Sequence, residues 1–185
     1  AAFAFDQDFV TAGFELLRAP AKVRTAVGLL AHGSYLYEDL TARENLRFWA
    51  TLSGRSFDPH RLGAALASVE LDQAAEVRVR DFSTGMKRRL ALARLLLGDP
   101  QLLLLDEPFG GLDQQGKKWL EEFLLSFKGR GGAVLMATHS FGRGLNIADR
   151  FAILAEGRIV LDCPRASVDL VELHRLYAVH TEDAE

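Results

Sequence analysis

Two adjacent carboxylates, Asp106 and Glu107, directly follow the apolar run of residues 101–105. This run opens after a turn signal at residues 98–100, and its length is typical of a strand buried on both faces of a parallel sheet. Open α/β sheets place their chemistry at the carboxyl ends of their strands, which is where both acids would emerge. Adjacent acids in a loop also commonly cap a helix or face solvent, so the pair predicts a site only together with other motifs.

A second candidate site lies at the start of a predicted amphipathic helix. Ser83, Thr84, Gly85 and Met86 open this helix, and backbone N–H groups at a helix start form a natural anion site. Ser83 is also a good N-cap residue, and both roles can hold together. An earlier capping-box pattern, Thr41-Ala-Arg-Glu44, predicts the start of another helix.

Taken in order, these motifs and two later ones resemble the second half of an ABC-type ATPase nucleotide-binding domain. Residues 82–86, Phe-Ser-Thr-Gly-Met, stand where that family has its signature loop, usually LSGGQ. Residues 102–106 match the Walker B strand, and residues 111–113, Gly-Leu-Asp, match the D-loop. Residues 138–140, Thr-His-Ser, follow another apolar run and match the switch histidine.

The resemblance implies ATP and Mg²⁺ as cofactors and a role for each polar residue of these motifs. Asp106 would hold Mg²⁺, directly or through water. Glu107 would act on the attacking water, and it is expected to point away from Asp106 because successive strand residues alternate. His139 would be the second catalytic residue, within reach of the γ-phosphate. The residues expected to contact the nucleotide are Ser83, Thr84, Gly85, Met86, Asp113 and His32.

Three of these positions depart from the usual family pattern. Thr84 and Met86 replace a Gly and the Gln of the signature loop, whereas Ser83 and Gly85 are retained. His32 stands where many family members have a Gln that senses Mg²⁺ and the membrane partner. A histidine can hydrogen-bond there, but its charge depends on pH near neutrality.

The resemblance implies an α/β fold with a P-loop NTPase-like (RecA-like) core, a mostly parallel sheet and a helical subdomain, incomplete at the N-terminus. The 185 residues would form a single, partial ABC ATPase domain. Its expected parts are the remainder of the N-terminal core (1–31), the helical subdomain with the signature loop (32–97), the core with Walker B, D-loop and switch (98–165), and a C-terminal helix and tail (166–185).

No complete GxxxxGK[ST] phosphate-binding loop occurs in the sequence. The nearest match, residues 111–118, places Lys118 where a hydroxyl should bind Mg²⁺ and Asp113 inside a loop that should cradle phosphate. We interpret it as a helix start after the D-loop. The phosphate-binding loop is expected before residue 1, and this chain alone is not expected to be a competent ATPase.

Composition narrows the possible partners. A net charge of -3 argues against a general nucleic-acid footprint. The single cysteine, Cys163, excludes an internal disulfide and suits a reducing compartment. The most apolar stretch, residues 90–105, contains charged and turn-forming residues, which argues against a membrane span.

The resemblance implies the ATP-binding and ATP-hydrolysing subunit of an ABC-type membrane transporter, in the cytoplasm at the inner face of the membrane. Residues 36–54 and 139–160 are most similar to haem-exporter (cytochrome c biogenesis) and ABC-2-type exporter subunits. The implied partners are membrane-spanning subunits, which insert a short helix near the aromatic-rich residues 35–49, and a second nucleotide-binding subunit. Two alternatives stay open: a non-hydrolysing regulatory ABC-like protein, and a soluble ABC ATPase not tied to transport.

Overall fold

The computed structural model describes residues 10–11, 14–15, 18, 20–31, 35–53, 59–139 and 143–182. The chain divides into two compact units, one spanning residues 5–138 and the other including residues 139–185. Each unit is described by itself below. The part boundaries proposed from the sequence, at residues 31, 97 and 165, stay predictions.

The first unit combines a parallel sheet with helices. Its elements in chain order are β1 (Val10–Thr11), β2 (Phe14–Glu15), α1 (Pro20–Ala26), β3 (Val27–Leu30), α2 (Ala42–Leu52), α3 (Pro59–Ala67), α4 (Thr84–Leu96), β4 (Leu102–Asp106), α5 (Gln114–Gly129) and β5 (Ala133–Ala137). Strands β1 and β2 pair antiparallel, whereas β3, β4 and β5 form a parallel sheet with β4 in the middle. Two 3-10 turns, Asp72–Ala74 and Val79–Asp81, join α3 to α4.

Strand β4 is buried on one face only, so the expectation of burial on both faces is wrong. Leu103 and Leu105 are buried, but Leu104 is half-buried. Its in-register neighbours Leu29 and Leu135 are 55% and 66% exposed. An apolar run of this length does not distinguish one covered face from two, because that depends on which elements pack against the sheet.

Helix α4 packs closely against the covered face. A Cβ atom added to Gly28 of β3 would lie 2.9 Å from Leu103 Cδ2 and 3.3 Å from Leu95 Cβ, so the lack of a side chain lets helix and sheet approach. The four consecutive residues 90–93 of α4 are all buried, as expected for a helix enclosed on every side. Helices α2 and α3 also contact α4, which therefore connects the helical part to the sheet.

The second unit is built on an antiparallel hairpin. Strands β6 (Arg150–Ala155) and β7 (Arg158–Pro164) pair with a register shift between Ile153 and Leu154, and helix α6 (Leu170–Glu182) follows. Phe151, Ile153 and Leu173 form its buried core. No helix in the described part of the chain is long and apolar enough to cross a membrane.

Candidate functional site

The two carboxylates stand at the end of the central strand, but strand alternation does not separate them. Asp106 is the last residue of β4 and is exposed. Glu107 has already left the strand and adopts a left-handed backbone with φ of 45°. The expectation that Glu107 points away from Asp106 because successive strand residues alternate is therefore wrong. A turn begins between the two residues, and Glu107 is no longer part of the strand. Such a conformation costs a non-glycine residue on the order of 1 kcal/mol, so the surrounding structure must maintain it.

Glu107 is fastened to the end of the neighbouring strand β5. Its backbone N–H donates to the carbonyl of Ala137 at 2.9 Å. Thr138, the next residue after β5, donates its Oγ1 hydroxyl to Glu107 Oε2 at 3.0 Å. The carboxylate is half-buried and has a defined donor, which is what a group that must hold one orientation requires.

Arg88 of α4 holds the backbone of the same turn. Its Nη2 donates to the carbonyl of Glu107 at 3.1 Å and to that of Gly110 at 3.4 Å. Burial lowers the pKa of the Arg88 guanidinium, while the nearby Asp106 carboxylate acts in the opposite direction. The guanidinium remains charged in spite of this shift.

Sequence reasoning missed both Arg88 and Thr138 as members of the site. Arg88 lies on a helix rich in basic residues, where only tertiary contacts distinguish it from its neighbours. Thr138 had one usable signal, since it directly follows an apolar run, and the carboxyl ends of parallel strands meet at the same edge of a sheet.

The start of α4 presents backbone donors to the outside. Ser83 caps the helix, accepting from the Met86 N–H at 3.2 Å. Within the described residues, the N–H groups of Thr84 and Gly85 make no hydrogen bond, and the first turn contains no acidic residue. Ser83 and Thr84 are exposed and Gly85 is half-buried. Two open N–H groups at the positive end of a helix can bind an anion.

Charged side chains on the next turn of α4 anchor this helix start. Lys87 Nζ lies 2.6 Å from Glu38 Oε1, in the segment before α2. Arg89 pairs with Glu70, which follows α3, and its guanidinium lies 4.4 Å from the centroid of the Trp119 ring. Both positive charges therefore form ion pairs within the protein, close in sequence to the open N–H groups.

The D-loop lies next to the helix start. Gly111 has φ of 70°, and a Cβ atom there would come within 3.3 Å of Thr84 Cγ2, so glycine suits both the conformation and the contact. Asp113 caps α5 by accepting from the Gly116 N–H at 2.7 Å. The interpretation of residues 111–118 as a helix start is confirmed, since α5 begins at Gln114.

The structure does not test the roles of the two candidate histidines. His139 is exposed and belongs to the second unit, and His32 lies outside the described residues. Both roles stay predictions. Within the described residues, no group of three or more His, Cys, Asp and Glu side chains could enclose a metal ion. A single exposed carboxylate such as Asp106 fits Mg²⁺, which is often held by one or two carboxylates together with phosphate and water.

A family model and the curated relatives of this chain point to the same class of protein. A family model described as "ABC transporter" matches residues 6–110. A fluoroquinolones export ATP-binding protein of Mycobacterium tuberculosis (strain H37Rv) is 42% identical over 130 residues, which are 69% of this chain and 42% of that protein. The Nod factor export ATP-binding protein I of Neorhizobium galegae is 37% identical over 158 residues, which are 82% of this chain and 45% of that protein.

A solved structure titled "Structure of ATP binding subunit of ABC transporter" matches with a TM-score of 0.75 and 28% identity. The match covers 90% of this chain and 74% of that one. Among the curated relatives, the matched region amounts to about half of their length, from 42% to 51%. This chain therefore has the fold of an ABC transporter ATP-binding subunit, with the parallel sheet and helices that the sequence motifs implied.

Proposed function

The chain belongs to the ABC transporter family, and from this premise we propose that it forms the Walker B, signature-loop and D-loop part of the ATP-hydrolysing subunit of an exporter. ATP hydrolysis is a trait of the family, and the relatives named above are export proteins. The similarity to haem-exporter and ABC-2-type subunits narrows the proposal to exporters without naming a cargo.

The hydrogen bond from Thr138 to Glu107 Oε2, beside the exposed Asp106, carries the proposal. Bound Mg²⁺ would neutralise charge on the β- and γ-phosphates. Asp106 would hold that ion from the end of β4. Glu107, held in another direction by its left-handed backbone, would orient the attacking water and accept its proton.

The open N–H groups of Thr84 and Gly85, together with the Ser83 hydroxyl, would bind phosphate oxygens of a nucleotide carried by a second subunit. Gly85 supports this role: in the part of the chain that the structure describes, a Cβ atom there would come no closer than 3.8 Å to Ser83 Oγ, so packing does not demand glycine. Close approach by a ligand would demand glycine at this position. Met86 and, from the D-loop, Asp113 are proposed to contact the nucleotide as well. His139 is proposed to reach the γ-phosphate, and His32 to take the place of the Gln that senses Mg²⁺.

The phosphate-binding loop is proposed to lie outside these 185 residues. The sequence has no GxxxxGK[ST] motif, and the relatives are about twice as long as the matched region. The experiments below therefore use the "complete subunit", meaning a protein that contains this chain together with its phosphate-binding loop. The chain alone is expected to bind MgATP only weakly.

Exchange of Glu107 tests the hydrolytic role. In the complete subunit, Glu107→Gln should lower ATP turnover by about 100-fold or more, because an amide cannot accept the proton of water. Binding of ATP, measured by calorimetry, should persist. Glu122→Gln on the exposed side of α5 is the matched control and should leave turnover unchanged.

The same experiment separates the alternatives. A complete subunit that binds ATP but shows no turnover, with or without Glu107→Gln, would favour a regulatory protein. Turnover that is unaffected by Glu107→Gln would remove Glu107 from the proposed role. An active ATPase that associates with no membrane-spanning subunit would favour an ATPase that is not tied to transport.

A membrane-spanning partner is proposed to dock on an aromatic face around α2. Tyr35, Tyr37 and Phe48 are 61%, 48% and 38% exposed. The Tyr37 and Phe48 rings meet edge-on with centroids 4.6 Å apart, and Phe48 meets Trp49 at 5.7 Å. Exposed aromatic clusters of this kind commonly mark protein interfaces, which supports the proposed docking of a membrane-spanning partner here. Such docking would hold the subunit at the inner face of a membrane.

A cavity of about 570 Å³ adjoins this face, between α1, α2 and the end of α4. Arg94 projects into its wall with its guanidinium 4.6 Å from the centroid of the Trp49 ring and 5.7 Å from that of Tyr35. Its Nε is buried and has no hydrogen-bond partner in the described part of the chain. Burial lowers the pKa of Arg94. A partner helix that brings an acceptor would fit this wall.

Docking is tested by co-purification with the membrane-spanning subunit. Phe48→Ala should weaken retention of the complete subunit on that partner, while its ATP binding stays unchanged. Leu125→Ala is the matched control, because Leu125 is 48% exposed and belongs to a different helix, α5. Equal retention of both variants would remove the aromatic face from the proposal.

A further inference from the structure

The turn that contains Glu107 is held at its backbone and at its side chain by different elements. Arg88 Nη2 donates to the carbonyls of Glu107 and Gly110, which fixes the left-handed backbone. The Thr138 hydroxyl donates to Glu107 Oε2 from the end of β5. Backbone restraint alone leaves the side-chain torsions of a glutamate open, so the orientation of the carboxylate needs a restraint of its own.

Thr138 has the geometry to supply that restraint. Asp106 and Ala137 are register partners in the parallel sheet, so the residues that follow them, Glu107 and Thr138, leave the sheet side by side. The Glu107 N–H bond to the Ala137 carbonyl keeps them adjacent. The resulting Oγ1–Oε2 distance of 3.0 Å is that of a hydrogen bond between a hydroxyl and a carboxylate.

We propose that Thr138 is a positioning residue, whose hydroxyl holds the Glu107 carboxylate in the orientation that accepts a hydrogen bond from the attacking water. This inference rests on the proposed role of Glu107 in hydrolysis. Thr138 does not take the proton itself: its own proton stays on Oγ1, and the proton of water passes to Glu107. Removal of the donor allows the carboxylate to sample other rotamers, which lowers the rate of the chemical step without removing the base.

The test compares Thr138→Val, which keeps the shape and removes the donor, with Thr138→Ser, which keeps the donor. Both changes are made in the complete subunit, alone and combined with Glu107→Gln. Thr138→Val should lower kcat about tenfold, as expected for one hydrogen bond to a charged group, with the KM for ATP within about twofold. Thr138→Ser should restore most of kcat. With Gln at position 107, Thr138→Val should cause no further loss.

Each contrary result has a distinct meaning. An unchanged kcat in Thr138→Val, an equal loss in Thr138→Ser, or an additive loss in the double variant would overturn the positioning role. Thermal unfolding of each variant is measured alongside, and a loss of kcat that follows a lowered midpoint in both single variants counts against the proposal. If Glu107→Gln alone leaves turnover unchanged, the proposed function fails. The Glu107→Gln variant contains the original Thr138, so this failure is distinct from a failure of the positioning role.

Discussion

Two helix starts in the first unit use the same capping chemistry but differ in what they leave open. Thr41 Oγ1 accepts from the Glu44 N–H at 3.2 Å at the start of α2, and Ser83 Oγ accepts from the Met86 N–H at 3.2 Å at the start of α4. In α2, Glu44 Oε2 also accepts from the Thr41 N–H at 2.8 Å, which completes a capping box. The first turn of α4 has no acid, so its positive end is not neutralised from within.

The remaining donors of the two helices differ as well. The N–H groups of Ala42 and Arg43 donate to the carbonyls of Val77 and Ala75, at 3.2 and 3.0 Å. The corresponding N–H groups of α4, those of Thr84 and Gly85, have no such acceptor among the described residues. The start of α2 is therefore closed by the protein itself, and its cap stabilises the fold. The start of α4 retains the donors that a phosphate group can use.

The largest expected effect comes from blocking the open helix start. In the complete subunit carrying Glu107→Gln, MgATP should produce a dimer, and Ser83→Arg should abolish it by bulk and by loss of the cap. The measurement is size-exclusion chromatography with light scattering, with and without MgATP. Ser126→Arg on the exposed side of α5 is the matched control and should dimerise. A dimer that forms equally well with Ser83→Arg would mean that α4 does not face the nucleotide.

A smaller effect is expected when the closed pattern of α2 is transferred to α4. Met86→Glu places an acid at the position that Glu44 holds in α2, so the new carboxylate can reach the Ser83 N–H and repel phosphate. ATP-dependent dimerisation of the Glu107→Gln protein should weaken by about tenfold. Met86→Gln offers a similar hydrogen bond without the charge and should dimerise normally. An equal loss in both variants would point to packing of the half-buried Met86 side chain instead.

The smallest effect concerns the closed start of α2. The backbone hydrogen bond from Thr41 is the main cause that lowers the pKa of Glu44 below its ordinary value. The ionised carboxylate therefore stabilises the fold at neutral pH, and this contribution is lost as pH falls through the lowered pKa of the folded state. Glu44→Gln should have a lower free energy of unfolding than the unchanged protein at pH 7.

The difference should shrink as the pH falls below the ordinary pKa of a glutamate and vanish once the pH is below the lowered pKa of the folded state. Urea unfolding at several pH values measures this difference in the free energy of unfolding. ATP turnover per folded molecule of the complete subunit should not change, because the N–H groups at the start of α2 are all used within the protein and are not proposed to bind nucleotide. A gap that stays constant from neutral to acidic pH would exclude the charge of Glu44 as its source.

The sequence predicted the local features of both helix starts well. The caps at Thr41, Ser83 and Asp113 join atoms within three residues of each other, so residue type and spacing were sufficient. The end of the central strand beside Asp106 was also predictable, because the apolar run and its flanking turn are continuous in the chain. The direction of Glu107 was not, since the left-handed backbone begins one residue after the strand ends.

The sequence by itself determined the family, the order of the motifs and the caps, because these depend on residues that are neighbours along the chain. Only the tertiary structure decided which helix start is closed, which face of β4 is covered, and what holds Glu107. Two of the residues that hold Glu107, Arg88 and Thr138, are 19 and 31 residues away from it. Contacts over such separations depend on how α4 and β5 pack against β4, and no local pattern of residue types encodes that packing.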